Sequence, residues 1–152
     1  IVVSNDEVNA VIKTIEDQVI SSQAKITPDF SQAPSITYSY LHLQSIMFNL
    51  LTNSIKYRSP GRKPEVKITT SIKNGFTCLS VSDKGIGIDL EKHGDKIFKA
   101  FQTFQSGSKE KGLGLYLIKL QTELLNGKIE VKSKLGKGTT FNIYMNDNPS
   151  LS

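Results

Sequence analysis

The pair Asn74-Gly75 stands between two stretches of β-strand character and limits the possible folds more than any other feature of the chain. Residues 65–72 alternate between apolar and polar side chains, and residues 77–82 continue as the return strand. One face of the first stretch carries Val66, Ile68 and Thr70. An Asn-Gly link favours the tight turn whose twist matches that of paired strands. The sequence therefore predicts an antiparallel hairpin with one buried face, which other elements must cover.

Three helical segments can provide that cover. Residues 7–22 and 40–57 carry apolar side chains at helical intervals, and residues 112–125 form a third helix that Asn126-Gly127 ends. The inward stripe of the second segment is Leu43, Ile46, Met47, Leu50 and Ser54. These helices would pack on the apolar face of the hairpin.

The remaining strand candidates complete the predicted order of elements. They are residues 24–30, 35–38, 128–133 and 139–145. The order helix, strand, strand, helix, hairpin, loop, helix, hairpin predicts an α/β fold: a two-layer α/β sandwich with a mixed, mostly antiparallel sheet and helices on one face. We predict one domain over residues 1–152, with its core at 5–145 and a frayed tail at 146–152.

One segment exceeds the usual length of a loop. Residues 88–111 are polar and rich in Lys, Gln, Ser and Gly, with an apolar island that includes Phe98 and Phe101. Loops of this length are usually lids, binding loops or disordered segments. We predict a long lid here.

Composition narrows the class of protein. The net charge is +5, but the basic residues are scattered, so we expect no nucleic-acid partner. The single cysteine, Cys78, lies in an apolar stretch and cannot form an internal disulfide, which favours a cytoplasmic location. The sequence contains no apolar run of the roughly 20 residues that span a membrane. Because the chain begins with Ile1 rather than Met, we expect a fragment of a longer parent protein, and a membrane anchor elsewhere in that protein remains an alternative.

The helix over 40–57 carries the first chemical motif. Asn49, Asn53 and Lys56 are spaced i, i+4 and i+7 and therefore share one face. An amide oxygen is a hard ligand suited to Mg²⁺, and a lysine offsets phosphate charge. The alternative is a solvated polar face with no ligand.

Two glycine-rich motifs follow. Asp83-Lys84-Gly85-Ile86-Gly87-Ile88 comes directly after a strand, and its glycines allow close backbone approach to a ligand. Gly112-Leu113-Gly114-Leu115 opens a helix, where free N–H groups favour an anion. Taken singly, each motif fits a turn or close packing equally well.

In this order the motifs resemble the four boxes of sensor histidine kinases, which belong to the Bergerat-fold superfamily of ATP-binding domains. The first box is the stretch from Asn49 to Tyr57, the second begins at Asp83, and the fourth begins at Gly112. The third is Ile97-Phe98-Lys99-Ala100-Phe101. The resemblance covers residues 5–145 and implies ATP and Mg²⁺ as cofactors and a Bergerat fold with an ATP lid.

The resemblance also implies a role for each motif residue at the base end of the nucleotide. Asp83 would accept a hydrogen bond from the adenine amine, in a pocket shaped by Gly85 and Gly87. Tyr57 would contact the nucleotide, and Thr139 would support adenine recognition through water.

At the phosphate end the implied roles fall on the Asn-bearing helix and the lid. Asn53 would hold Mg²⁺, Asn49 would arrange the phosphates and metal, and Lys56 would contact phosphate; we take Asn49 and Lys56 as the catalytic pair. The remaining implied nucleotide-binding residues anchor the lid or let its junction approach the phosphates: Phe98, Phe101, Gly112, Leu113 and Gly114. The chain departs from the family at Glu110, where a further glycine is frequent, so lid closure would differ.

The resemblance implies an enzyme that transfers the γ-phosphoryl group of Mg·ATP to a histidine. ATPases of the superfamily resemble one another in placing Glu four residues before the metal-binding Asn, and here that position is Asn49, which is not a general base. Neither His42 nor His93 has the acceptor's sequence context, so the acceptor would lie on a separate dimerisation helix of the parent chain, and the segment alone would not phosphorylate itself. A homodimeric parent and, indirectly, a response regulator receiver domain are the implied partners. A nucleotide-sensing or docking module without phosphoryl transfer remains the alternative.

Overall fold

The computed structural model describes residues 2–3, 5–34, 36–94, 96–99 and 114–145. The helices are α1 (Asn5–Thr14), α2 (Glu16–Ser22), α3 (Tyr40–Lys56), α4 (Leu90–His93) and α5 (Gly114–Leu124). The strands are β1 (Val2–Val3), β2 (Lys25–Asp29), β3 (Ile36–Thr37), β4 (Glu65–Lys73), β5 (Phe76–Asp83), β6 (Lys128–Lys134) and β7 (Gly138–Met145).

Within the described residues, five strands form the main sheet in the order β2-β4-β5-β7-β6. β2 is parallel to β4, and the other neighbours are antiparallel. The core lies between the sheet and the helices, because the inward residues of β4, β5 and β7 pack in one cluster with α1, α3 and α5. The predicted two-layer α/β sandwich with a mixed, mostly antiparallel sheet is confirmed.

The central hairpin has the predicted turn. Asn74 and Gly75 both have positive φ, 52° and 81°, as the tight two-residue turn requires. Lys73 therefore pairs with Phe76, and the register runs on without a break to Val66 and Asp83. This register delivers Asp83 to the far end of β5, and the inward residues Val66, Ile68 and Thr70 are buried as predicted.

Helix α3 presents its predicted stripe to the core. Ser39 caps its N-terminus by accepting a hydrogen bond from the backbone N–H of His42. The stripe residues Leu43, Ile46, Met47, Leu50 and Ser54 are all buried. The C-terminal half of α3 thereby lies beside the end of β5.

Several predicted boundaries were wrong. The helix predicted over 7–22 is two helices, α1 and α2, which are separated at Ile15. The Thr14 hydroxyl donates to the Val11 carbonyl at 2.6 Å, and such a local bond competes with helical pairing. The segment predicted as a loop over 88–111 contains α4, which Asp89 caps by accepting from the Lys92 N–H.

The short strand predicted over 35–38 is limited to Ile36–Thr37, and it pairs with β1, which the sequence patterns did not predict. The predicted tail at 146–152 and the lid residues 100–113 lie outside the described residues.

Candidate functional site

The carboxylate of Asp83 is the polar centre of the site. Its Oδ1 accepts hydrogen bonds from the backbone N–H groups of Gly85, at 2.8 Å, and Thr139, at 3.2 Å. Its Oδ2 accepts from the Ser54 hydroxyl at 3.2 Å. Burial raises the pKa of Asp83, and the three hydrogen bonds oppose that rise. The side chain is thus a fixed acceptor in a partly desolvated place.

The glycines after Asp83 allow the following loop to approach α3 and the β6–β7 hairpin. A Cβ on Gly85 would lie 2.5 Å from the carbonyl oxygen of Tyr57. That oxygen accepts from the backbone N–H of Ile86 at 3.0 Å. Gly87 has a φ of +76°, and a Cβ there would collide with the carbonyl oxygen of Lys134. Larger residues would therefore displace the backbone on which the site is built.

The β6–β7 hairpin forms another wall of the site. The Ser133 hydroxyl accepts from the Ile88 N–H at 2.7 Å and lies 2.7 Å from the Thr139 hydroxyl. Gly138 has a φ of +110°, and a Cβ there would collide with the carbonyl oxygen of Asp83. Sequence reasoning missed Ser133 and Gly138 as parts of the site. Both lie in or beside the hairpin connection, whose glycines and small polar residues fit an ordinary turn equally well.

These elements enclose an open pocket of about 440 Å³, part of which is solvent space. The lining combines apolar walls with few polar groups: Asn53, Tyr57, Asp83, Ile86, Gly87, Ile88, Leu115, Thr139 and Phe141. Five of the predicted binding residues thus come together, whereas Ile86, Ile88, Leu115 and Phe141 were not predicted as site residues.

Asn49 and Lys56 are not among the residues that line this pocket. Asn49 lies close to the start of α5, because its Oδ1 is 3.6 Å from the position of a Cβ on Gly114. The Lys56 ammonium lies 4.9 Å from the centre of the Tyr57 ring. Asn49 therefore lies near the start of α5. Lys56 contacts Tyr57, which lines the pocket.

Phe98 of the third motif packs against Phe141, which lines the pocket. Its ring meets that of Phe141 edge to face, with centroids 6.4 Å apart and an interplanar angle of 69°. Its neighbour Ile97 is fully buried. Phe101, Gly112 and Leu113, which were also predicted to bind the nucleotide, lie outside the described residues.

The donor set decides which metal could bind. The described residues contain no group of three or more His, Cys, Asp or Glu side chains that could hold a metal ion. Mg²⁺ needs no such group, because it binds through one or two protein ligands together with phosphates and water. Asn53, whose side chain carries one amide oxygen, lines the pocket and fits that role.

None of the described helices has the combined length and apolarity that crossing a bilayer demands.

Residues 39–149 match the protein family described as histidine kinase-, DNA gyrase B-, and HSP90-like ATPase. The sensor protein RprX of Bacteroides fragilis strain YCH46 is 31% identical over 147 residues, which are 93% of this chain and 28% of that protein. The sensor protein SrrB of Staphylococcus aureus strain MRSA252 is 36% identical over 112 residues, which are 72% of this chain and 19% of that protein. The chain thus spans less than a third of the length of these curated relatives.

Solved structures share the fold at low sequence identity. The catalytic domain of histidine kinase ThkA, in a nucleotide-free form, superposes with a TM-score of 0.81 at 21% identity, covering 100% of this chain and 98% of that one. The histidine kinase AdeS of Acinetobacter baumannii gives a TM-score of 0.77 at 22% identity, covering 97% of this chain and 67% of that one. Full-length ShkA in complex with AMPPNP gives a TM-score of 0.77 at 22% identity, covering 97% of this chain and 32% of that one.

Proposed function

The chain belongs to the histidine kinase-, DNA gyrase B- and HSP90-like ATPase family, and on that premise we propose that it is the catalytic domain of a sensor histidine kinase. Its reaction would transfer the γ-phosphoryl group of Mg·ATP to a histidine on a dimerisation helix elsewhere in the parent chain. The similarity to sensor proteins over 93% and 72% of this chain supports the choice of a kinase within the family.

One observation carries the proposal: the Asp83 carboxylate is held as an acceptor within a pocket that is otherwise mostly apolar. A fixed, partly desolvated acceptor recognises a donor such as the exocyclic amine of adenine, because an unpaired buried carboxylate is costly. The pocket's apolar side chains suit the flat faces of a purine. We assign base recognition to Asp83, with Gly85, Gly87, Tyr57 and Thr139 shaping the space around it.

The phosphate end of the nucleotide would lie along α3 toward the start of α5. Asn53 would hold Mg²⁺, which neutralises charge on the phosphates when it is bound. Asn49, one turn before Asn53 in α3, would orient the phosphates. Lys56 would add a positive charge near them. A Cβ on Gly114 would make only ordinary contact with Asn49, and we assign Gly112, Leu113 and Gly114 to the phosphate end from their motif alone.

Asn49 also favours phosphoryl transfer over hydrolysis. Its neutral amide cannot take a proton from water at neutral pH. A water molecule beside the Asn49 side chain would therefore stay a poor nucleophile. A protein nucleophile brought in line with the γ-phosphate is then the better acceptor. The parent chain would be a homodimer that passes the phosphoryl group on to a response regulator receiver domain, at a cytoplasmic site.

The test has two steps. Titration calorimetry should detect Mg·ATP binding to this chain, and lack of binding would refute the proposal. Radiolabelled ATP should then label the separately expressed helical hairpin of the parent protein, at its histidine, only when this domain is added. Binding without any labelling of the hairpin would instead identify a nucleotide-sensing module.

A further inference from the structure

Ser54 is a buried hydroxyl in the otherwise apolar inward stripe of α3, with 5% of its surface exposed. Its Oγ lies 3.0 Å from the Leu50 carbonyl oxygen and 3.2 Å from Oδ2 of Asp83. The first contact is usual for a helical serine, but a hydroxyl has one proton, so the two acceptors share it and the ionised carboxylate is the stronger of them. The second crosses from α3 to the end of β5 and is one of the three bonds that hold the Asp83 carboxylate.

The acceptor positions of the Asp83 carboxylate show what this second contact does. A carboxylate offers about four acceptor positions, two on each oxygen. Oδ1 accepts two backbone N–H groups, those of Gly85 and Thr139. Oδ2 accepts from Ser54. Among the described residues, these bonds leave one acceptor position, and it is on the oxygen that Ser54 contacts.

From this geometry we infer that Ser54 is a positioning residue of the nucleotide site, whose hydroxyl fixes Oδ2 of Asp83 so that a single acceptor position faces an incoming amine. The inference rests on the proposed function, since it assigns that position to the exocyclic amine of adenine. Without the hydroxyl, Oδ2 would have two open positions and no donor among the described residues. A second donor, such as water, could then compete with the base.

Ser54 also favours the ionised form of Asp83. Burial raises the pKa of this carboxyl, and the bond from Ser54 is one of three that lower it. Loss of the hydroxyl therefore raises the pKa of Asp83 further, and the protonated form appears at higher pH. A protonated Oδ2 carries a donor hydrogen, which opposes an amine donor.

Charged and titratable groups around Asp83 do not account for its pKa. The titratable groups that line a pocket together with Asp83 are Tyr57 after the end of α3, Lys25 on β2, Glu65 and Lys67 on β4, and the adjoining Lys84. Lys84 and Glu65 form an ion pair of 3.0 Å, which satisfies both charges. None of the five contributes to the shift in the pKa of Asp83, which comes from burial and hydrogen bonds.

The test compares the affinity for Mg·ATP across acid to neutral pH in the wild type, Ser54→Ala and Thr52→Ala. Thr52 is the matched control, because its hydroxyl also donates one turn back, to the Phe48 carbonyl at 2.7 Å. In Ser54→Ala, the pH at which half of the ATP affinity is lost should rise, and affinity at neutral pH should fall about threefold to tenfold. Thr52→Ala should match the wild type in both respects.

Ser54→Cys guards against a folding defect in the alanine variant. Its thiol is of similar size but is a weak donor, so the half-loss pH should again rise. The same half-loss pH in the wild type and the Ser54 variants would overturn the inference while leaving ATP binding intact, as would an equal rise in Thr52→Ala. A wild type that does not bind ATP would overturn the proposed function and this inference together.

Discussion

The backbone N–H of Ile86 donates to the carbonyl oxygen of Tyr57 at 3.0 Å, and this bond joins the glycine loop to the end of α3. The loop can come this close because Gly85 has no side chain: a Cβ there would lie 2.5 Å from the same oxygen. A backbone hydrogen bond therefore joins the two walls of the pocket formed by the end of α3 and the Asp83 loop, in addition to the side-chain bond from Ser54 to Asp83.

We predict that Gly85→Ala weakens ATP binding by about tenfold or more, because the added methyl group forces the loop away from Tyr57 and shifts Asp83 with it. Titration calorimetry measures the change. Gly75→Ala is the control: Gly75 has a positive φ of 81°, a Cβ there would meet nothing within 4 Å, and the turn lies at the opposite end of the β4–β5 hairpin from Asp83. The control should lower the melting temperature through backbone strain and leave ATP affinity near that of the wild type. Equal affinity losses in both variants would contradict the prediction.

Asn53→Ala separates metal binding from nucleotide binding. If the Asn53 amide oxygen is a ligand of Mg²⁺, its loss should weaken Mg·ATP binding by about tenfold and affect ATP in chelator much less. The melting temperature should not fall, because alanine is the better helix former and Asn53 lies within α3. Equal losses with and without Mg²⁺ would make Asn53 a structural residue instead.

The fold could be predicted from local patterns because its main elements carry local signals. Asn74-Gly75 encodes its own turn, and the stripe from Leu43 to Leu50 encodes the buried face of α3. The break at Ile15 had no such signal, because the apolar residues keep their helical spacing across it. The pairing of β2 with β4, which places Ile26 beside Val66, joins segments far apart in the chain.

The same distinction holds for the site. Asp83, Gly85 and Gly87 stand in one short motif and were predicted as binding residues. Ser54 was predicted only as part of the inward stripe, since its contact with Asp83 spans 29 residues of sequence. Phe141 was missed as a wall of the pocket because an aromatic residue on a strand reads as ordinary core, and only the folded chain brings it against Phe98.

The Phe98–Phe141 contact gives a prediction about stability. Phe98 is only partly buried, so Phe98→Ala should cost about 1–3 kcal/mol, less than for a fully buried ring. A double-mutant cycle with Phe141→Leu should give a coupling energy of about 0.5–1.5 kcal/mol, as edge-to-face pairs do. Denaturant unfolding provides both numbers. Phe76→Ala is a suitable control, since Phe76 is the first residue of β5 and is 39% exposed. Its effect should add to that of Phe98→Ala without coupling.

The last prediction sets binding against stability at Asp83. Asp83→Asn should keep the fold, because the amide oxygen can accept from Gly85 and Thr139 while its NH₂ group donates to Ser54. Ser54 can then donate its own proton to Leu50. The NH₂ group now opposes the adenine amine, so ATP affinity should fall by about tenfold or more.

The same substitution should change how stability depends on pH. The pKa of Asp83 is raised in the folded state, so in the wild type the folded chain binds more protons than the unfolded chain between the ordinary pKa of 3.8 and the raised value. The free energy of unfolding therefore falls as the pH rises through that window, and the loss persists at neutral pH. Asp83→Asn cannot ionise and escapes this loss. Its stability relative to the wild type should increase as the pH rises through the window, as denaturant unfolding at several pH values would show. A difference in stability between the two proteins that does not change with pH would mean that the buried carboxylate carries no such cost.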